Sequence, residues 1–111
     1  GFESKPAEDI QATLLALTVE CISQSIEALK PAVDSVWVCG GGAHNRRLMQ
    51  CLQQRLQRPV ASTLKLGVDP DWVEAIAFAW IARQTMAGEA GNLPSVTGAQ
   101  RPVILGGIYR A

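Results

Sequence analysis

Three consecutive glycines, Gly40–Gly42, stand between an apolar segment and the residues Ala43, His44 and Asn45. Glycine leaves the backbone uncovered, so a ligand can lie directly against it. A helix that begins just after such a turn directs its free N–H groups and positive dipole end toward that ligand. The pattern is typical of a turn that contacts a nucleotide, and its alternative is a tight connection without a ligand.

The spacing of these glycines excludes the two familiar phosphate-binding loops. The dinucleotide fingerprint G-x-G-x-x-G is absent, and the Lys-Ser/Thr pair of a Walker A loop is missing. We therefore expect contact with an adenosine rather than a phosphate cradle. Cys39 and His44 flank the glycines as a conceivable nucleophile and base, but Trp37 stands where a G-x-C-x-G elbow requires glycine. The pattern favours Cys39 as a buried strand end and His44 as a helix cap or exposed residue.

Acidic residues cluster near the start of a later apolar segment. Glu74 is interpreted either as a first-turn acid stabilised by the helix dipole or as a hydrogen-bond acceptor for a hydroxyl-rich substrate such as a sugar. Asp69 and Asp71 are predicted to cap this helix, and Trp72 and Trp80 to lie mostly in the core. The loop over 92–99 could line a site or simply satisfy its own polar groups.

The elements that position these residues follow from hydrophobic periodicity and from proline and glycine signals. They alternate between helices and strands in the order α-β-α-β-α-loop-β, which predicts an α/β fold with a parallel or mixed sheet. The first helix is expected to bury a stripe that includes Leu14, Leu17 and Cys21. The predicted helices cover 6–29, 45–58 and 69–87, with Gly88 as a stop, and the predicted strands cover 35–39, 60–63 and 103–109.

Composition narrows the possible partners. The 111 residues are 48% hydrophobic, and ten basic residues balance ten acidic ones, so neither nucleic acid nor an anionic membrane is an expected partner. Three cysteines without a C-x-x-C pair argue against a disulfide framework or a zinc site and favour buried thiols in a reducing cytoplasm. No metal site is predicted, and no run is apolar for the ~18 residues that a membrane span needs.

Four ordered blocks resemble the C-terminal part of the anhydro-N-acetylmuramic acid kinase family. They are CGGGAHNRRLM at 39–49, DPDWVEAIAFAWIA at 69–82, GNLPSVTGA at 91–99 and VILGGIY at 103–109. IQATLLALT at 10–18 is similar to the helix before the glycine turn. The resemblance implies the actin-like ATPase fold, in which two lobes of ribonuclease-H type enclose ATP and sugar. Residues 1–111 are then a single C-terminal lobe fragment, with the N-terminal lobe absent.

The resemblance also implies the chemistry. Gly40, Gly41 and Gly42 would form the adenosine-side turn with Ala43 and Asn45 beside it, and Glu74 would approach the sugar. The family uses ATP and Mg²⁺ to open the 1,6-anhydro bond with water and to phosphorylate O6 in cell-wall recycling.

The same resemblance sets the limits expected of this chain. The general base, the phosphate loop and most of the Mg²⁺ site are expected upstream, so no catalytic residue is assigned here and the isolated chain should be silent. We expect it to self-associate or form a homodimer. The alternative is a non-enzymatic α/β module that binds a ligand or assembles with a partner.

Overall fold

The computed structural model describes residues 4–109, so most of the loose start predicted over 1–5 lies outside the described residues. The chain divides into two compact units, Gly1–Asp71 and Trp72–Ala111. That residues 1–111 form a single lobe stays a prediction.

The first unit contains two helices and two short strands. Helix α1 covers Ala7–Glu27, strand β1 Val36–Val38, helix α2 Arg46–Leu56 and strand β2 Val60–Ser62. Short 3₁₀ turns cover Gly41–His44 and Thr63–Leu66. These elements match the predicted ones in type and order, with Pro6 capping α1 rather than occupying its first turn.

The core of this unit lies between α1 and α2. Leu48, Leu52 and Leu56 recur every four residues and are buried, so one face of α2 packs inward. On α1 the buried positions are Val19 and Ser23. The core also includes half-buried side chains on both helices and β2, namely Leu15, Ile22, Cys51 and Val60.

The buried stripe predicted for α1 is wrong in detail. Leu14, Leu17 and Cys21 are exposed, because the packed line runs through Val19 and Ser23 instead. This line is set by where α2 crosses α1, which periodicity alone does not reveal.

The sheet consists of two parallel strands. Val36 pairs with Val60 and Val38 with Ser62, and α2 forms the connection between the strands. Among residues 4–109, β1 is paired with β2 and with no other strand, and Trp37 on β1 is 43% exposed. Cys39 is exposed and Cys51 half-buried, so the prediction of buried cysteines is wrong.

The second unit is built on helix α3, Val73–Ala87, followed by the short helix α4, Pro94–Thr97. Gly88 ends α3 with φ +71°, as predicted. The helix begins at Val73 rather than at Asp69, with Trp72 at its cap. Trp72 and Trp80 are 64% and 47% exposed, which corrects their assignment to the core.

The strand predicted over 103–109 does not form. A strand needs a neighbouring strand to receive its hydrogen bonds, whereas Val103 and Leu105 are bonded to the preceding helix and loop. Val103 O accepts from Gly91 N–H at 3.1 Å, and Val103 N–H donates to Asn92 Oδ1 at 2.7 Å. Thr85 Oγ1 donates to Leu105 O. Within residues 4–109, none of the helices combines the length and apolar character that crossing a bilayer requires.

Candidate functional site

Residues 40–44, which we call the glycine turn, follow β1 closely and belong to the first unit. Gly40 has φ +70° and ψ −172°, a backbone conformation that is essentially restricted to glycine. The 3₁₀ turn then closes with Ala43 N–H donating to Gly40 O at 3.0 Å and Asn45 N–H donating to Gly42 O at 3.1 Å. The sequence predicted a helix directly after the glycines, and the structure inserts this 3₁₀ turn before α2.

The structural requirement for glycine differs among the three positions. Gly40 requires glycine because of its backbone angles, although a Cβ there would meet no atom within 4 Å. Gly41 is exposed, is outside the left-handed region and also has open space around its Cβ position. A Cβ on Gly42 would lie 3.5 Å from Leu48 Cδ2, an ordinary contact. The fold of this unit therefore does not demand glycine at 41 or 42.

Asn45 connects the turn to α2. Its Oδ1 accepts a hydrogen bond from Leu48 N–H at 3.0 Å, so Asn45 is the N-cap of the helix. Its side-chain amide makes no hydrogen bond within the part of the chain that the structure describes. The cap holds that donor beside the N-terminus of α2, where the helix dipole favours negative charge.

An open groove of about 620 Å³ lies between the N-terminal half of α1 and the start of α2. Leucines at 14, 15 and 48 line it together with the polar side chains of Asn45 and Arg47. A mixed apolar and polar lining suits a small organic ligand. Asn45, the residue that follows the glycine turn, lines the groove, whereas the glycines themselves do not line it.

Residues 69–71 are bonded to both ends of the glycine turn. Gly40 N–H donates to Pro70 O at 2.8 Å, and His44 Nε2 lies 2.8 Å from Asp71 Oδ1. A carboxylate only accepts, so His44 is the donor. Asp69 does not cap α3: its Oδ1 accepts from Asp71 N–H at 2.9 Å. These bonds hold 69–71 in a turn and explain why α3 begins later than predicted.

The His44–Asp71 pair is a feature of this site that the sequence does not predict. The sequence predicts His44 as a helix cap or an exposed residue: it is exposed, and Asn45 is the cap instead. The predicted cap of α3 at Asp71 is wrong, because Trp72 holds that position. The two residues are 27 positions apart, and no local spacing rule connects them. In the described part of the chain no hydrogen bond joins His44 to Cys39, so a cysteine nucleophile with a histidine base has no support from the geometry.

Glu74 belongs to the second unit, in the first turn of α3, and is exposed. In the following loop, Asn92 donates to Arg101 O at 3.1 Å and accepts from Val103 N–H. The polar groups of Asn92 therefore bond to neighbouring backbone. This favours the interpretation that the loop over 92–99 satisfies its own polar groups over the one in which it lines a site. Across the described residues, no three His, Cys, Asp or Glu side chains form a group that could hold a metal ion.

Comparisons with known proteins point to one family. A family model described as anhydro-N-acetylmuramic acid kinase matches residues 2–111. The chain is 52% identical over 105 residues to such a kinase from Nitrosomonas europaea, covering 94% of this chain and 29% of that protein. It is 54% identical over 112 residues to the Nitrosospira multiformis kinase, covering 100% and 30%. The chain is 50% identical over 113 aligned residues to the Pseudomonas syringae pv. syringae kinase, and the alignment covers 99% of this chain and 31% of that kinase. The chain spans less than a third of the length of these relatives.

Proposed function

Because this chain belongs to the anhydro-N-acetylmuramic acid kinase family, we propose that it forms part of an ATP-dependent sugar kinase and supplies the turn that contacts adenosine. The reaction adds water across the 1,6-anhydro bond and transfers the γ-phosphoryl group of ATP to O6, releasing ADP. We place it in cell-wall recycling in a reducing cytoplasm, in keeping with the three free cysteines. The fold would be part of a ribonuclease-H-like lobe of an actin-like ATPase.

The observation that carries this proposal is the absence of a side chain at Gly41. Neither its backbone angles nor its neighbours require glycine there, and the residue is exposed beside β1. A ligand that lies against the backbone does require it, because a methyl group would occupy the same space. We therefore assign Gly41 and Gly42 to direct contact with the nucleoside.

The groups around the turn suit an adenosine. The side-chain amide of Asn45 can donate to a ring nitrogen or a ribose hydroxyl, and Ala43 adds a small apolar contact. The neighbouring groove offers leucine side chains to the base and Arg47 as a further donor. ATP, when bound, supplies the phosphoryl group, and we assign Mg²⁺ mainly to residues outside this chain.

The sugar-facing role belongs to Glu74. A carboxylate accepts hydrogen bonds from hydroxyl groups, and the remainder of this first turn of α3 offers no other charged side chain. We propose that Glu74 orients the anhydro sugar rather than acting as the base. A general base must reach the proton that it removes from water. We assign no residue of this chain to that role and place the base in a part of the kinase outside this chain.

A chimeric kinase tests the proposal. This chain would replace the matching segment of the Nitrosomonas europaea kinase, and ADP release would be measured with the anhydro sugar as substrate. We expect turnover by the chimera and none by the isolated 111-residue chain. Gly41→Ala should raise the KM for ATP about tenfold, a cost of ~1.4 kcal/mol in binding.

The matched control is Gly98→Ala. Gly98 has φ +72° and lies in the second unit, so its substitution should lower stability without changing the KM for ATP. Gly41→Ala should leave the thermal midpoint unchanged. Turnover by the isolated chain, or an unchanged KM for ATP in Gly41→Ala, would contradict the proposal.

A further inference from the structure

The glycine turn is attached to residues 69–71 at both of its ends. At its start, Gly40 N–H donates to Pro70 O at 2.8 Å. At its end, His44 Nε2–H donates to Asp71 Oδ1 at 2.8 Å. The exposed backbone at Gly41 lies between these two attachments, so residues 69–71 constrain the turn on both sides of it.

Asp71 is itself held in place. Its N–H donates to Asp69 Oδ1 at 2.9 Å, and the residue between them, Pro70, is buried. A proline with a fixed φ and a closed Asx turn leave the backbone at Asp71 few conformations. The carboxylate that accepts from His44 therefore projects from a constrained backbone.

The turn needs such support because it is rich in glycine. Three consecutive glycines sample many backbone conformations, and the angles of Gly40 are one narrow choice among them. The side chains of His44 and Asp71 are 60% and 58% exposed, so their bond contributes little to global stability. Its main effect is on the conformation of the turn.

We propose that His44 and Asp71 are positioning residues that hold the glycine turn in the conformation that receives the nucleotide. This role rests on the proposed function, since the turn must contact ATP for its conformation to affect binding. The proposed role of His44 does not involve Cys39, and the proposed role of Asp71 does not involve capping α3. Neither residue is assigned any contact with reacting atoms.

The direct test measures hydrogen exchange of individual amides by NMR in the 111-residue chain without ligand. Gly40 N–H should exchange about three- to fivefold faster in His44→Ala and in Asp71→Ala than in the wild type. Leu48 N–H, held by Asn45, should be unaffected, and Leu52 in the core reports global opening. Asp34→Ala, at an exposed acid of the same unit, is the matched control and should change nothing.

The kinetic test uses the chimeric kinase. Both alanine variants should raise the KM for ATP about three- to fivefold while kcat and the KM for the sugar stay within about twofold. Asp71→Asn keeps an acceptor oxygen for His44 and should restore most of the wild-type KM. The double alanine variant should be no worse than either single variant, because both remove the same bond.

The outcomes separate the two proposals. Unchanged exchange at Gly40 in both alanine variants overturns the positioning role, as does faster exchange with an unchanged KM for ATP. A fall in kcat at constant KM also overturns it, because that result would place the pair in the chemical step. If Gly41→Ala also leaves the KM for ATP unchanged, the proposed nucleotide contact itself is wrong.

Discussion

At the residue scale, the glycines of the turn are not equivalent. Gly40 is needed for its backbone angles, φ +70° and ψ −172°, whereas neither the angles nor the neighbours of Gly41 require glycine, and we propose that a bound nucleotide does. A substitution at Gly40 should therefore affect folding, and one at Gly41 should affect binding. The two positions, adjacent in sequence, offer a way to separate stability from function.

Gly40→Ala is expected to destabilise the chain by about 1–3 kcal/mol, because the alanine Cβ clashes with its own backbone at these angles. Gly98→Ala, at ordinary left-handed angles, should cost only about 1–2 kcal/mol. Urea unfolding followed by circular dichroism measures both changes. Equal stability of Gly40→Ala and the wild type would show that the turn adopts different angles in solution.

At the scale of elements, α1 and α2 are joined by an ion-pair network as well as by their leucine core. Arg55, in the last turn of α2, donates from Nε to Glu20 at 2.9 Å and from Nη1 to Glu27 at 2.7 Å. Glu20 and Glu27 lie two turns apart on α1 and face the same partner. The hydrogen bond from Arg55, aided by Gln24, lowers the pKa of Glu20 from 4.5 to about 2.

This network predicts acid sensitivity. The unfolded chain binds the Glu20 proton near pH 4.5 and the folded chain only near pH 2, so stability should fall as the pH drops through this window. Glu20→Gln should reduce that fall and lower stability above pH 5. Urea midpoints between pH 6 and about 2.5 measure the effect, with Asp34→Asn as control. Parallel pH profiles for Glu20→Gln and the wild type would contradict the role of this pair.

At the scale of the whole molecule, apolar side chains occupy every side of α3. Ile76 and Trp80 lie one turn apart on one face, and Phe78 lies roughly opposite them. All three are exposed, as is Trp72 before the helix. A helix that is apolar all round is ordinarily buried, so these faces indicate surfaces that another chain segment covers.

We propose that the isolated chain self-associates through these faces. Light scattering across a dilution series should show a mass that rises with concentration above the 11.9 kDa of one chain. Phe78→Gln should weaken this association, while Arg83→Gln, a polar exchange on the same helix, should leave it unchanged. A constant monomer mass over the whole series would exclude self-association.

The elements were predictable wherever local chemistry decides them. Pro6 lies at the start of α1 and Gly88 at the end of α3, because the backbone preferences of proline and glycine act within a few residues. The start of α3 was not predictable, because Asp69 caps its own turn instead of the helix. The strand predicted over 103–109 does not form for a related reason: Gly91, Asn92 and Thr85 bond to Val103 and Leu105, and within residues 4–109 no strand lies beside this segment.

The candidate site divides in the same way. Residue type and position are enough to predict a tight turn at Gly40–Gly42 and a helix from about residue 45, whereas the cap of that helix is Asn45 and not His44, the cap that the sequence indicates. Only the tertiary structure decided that His44 meets Asp71 and that Arg55 joins α2 to α1, across separations of 27, 28 and 35 residues. Such contacts depend on the path of the chain through space, which local preferences do not encode.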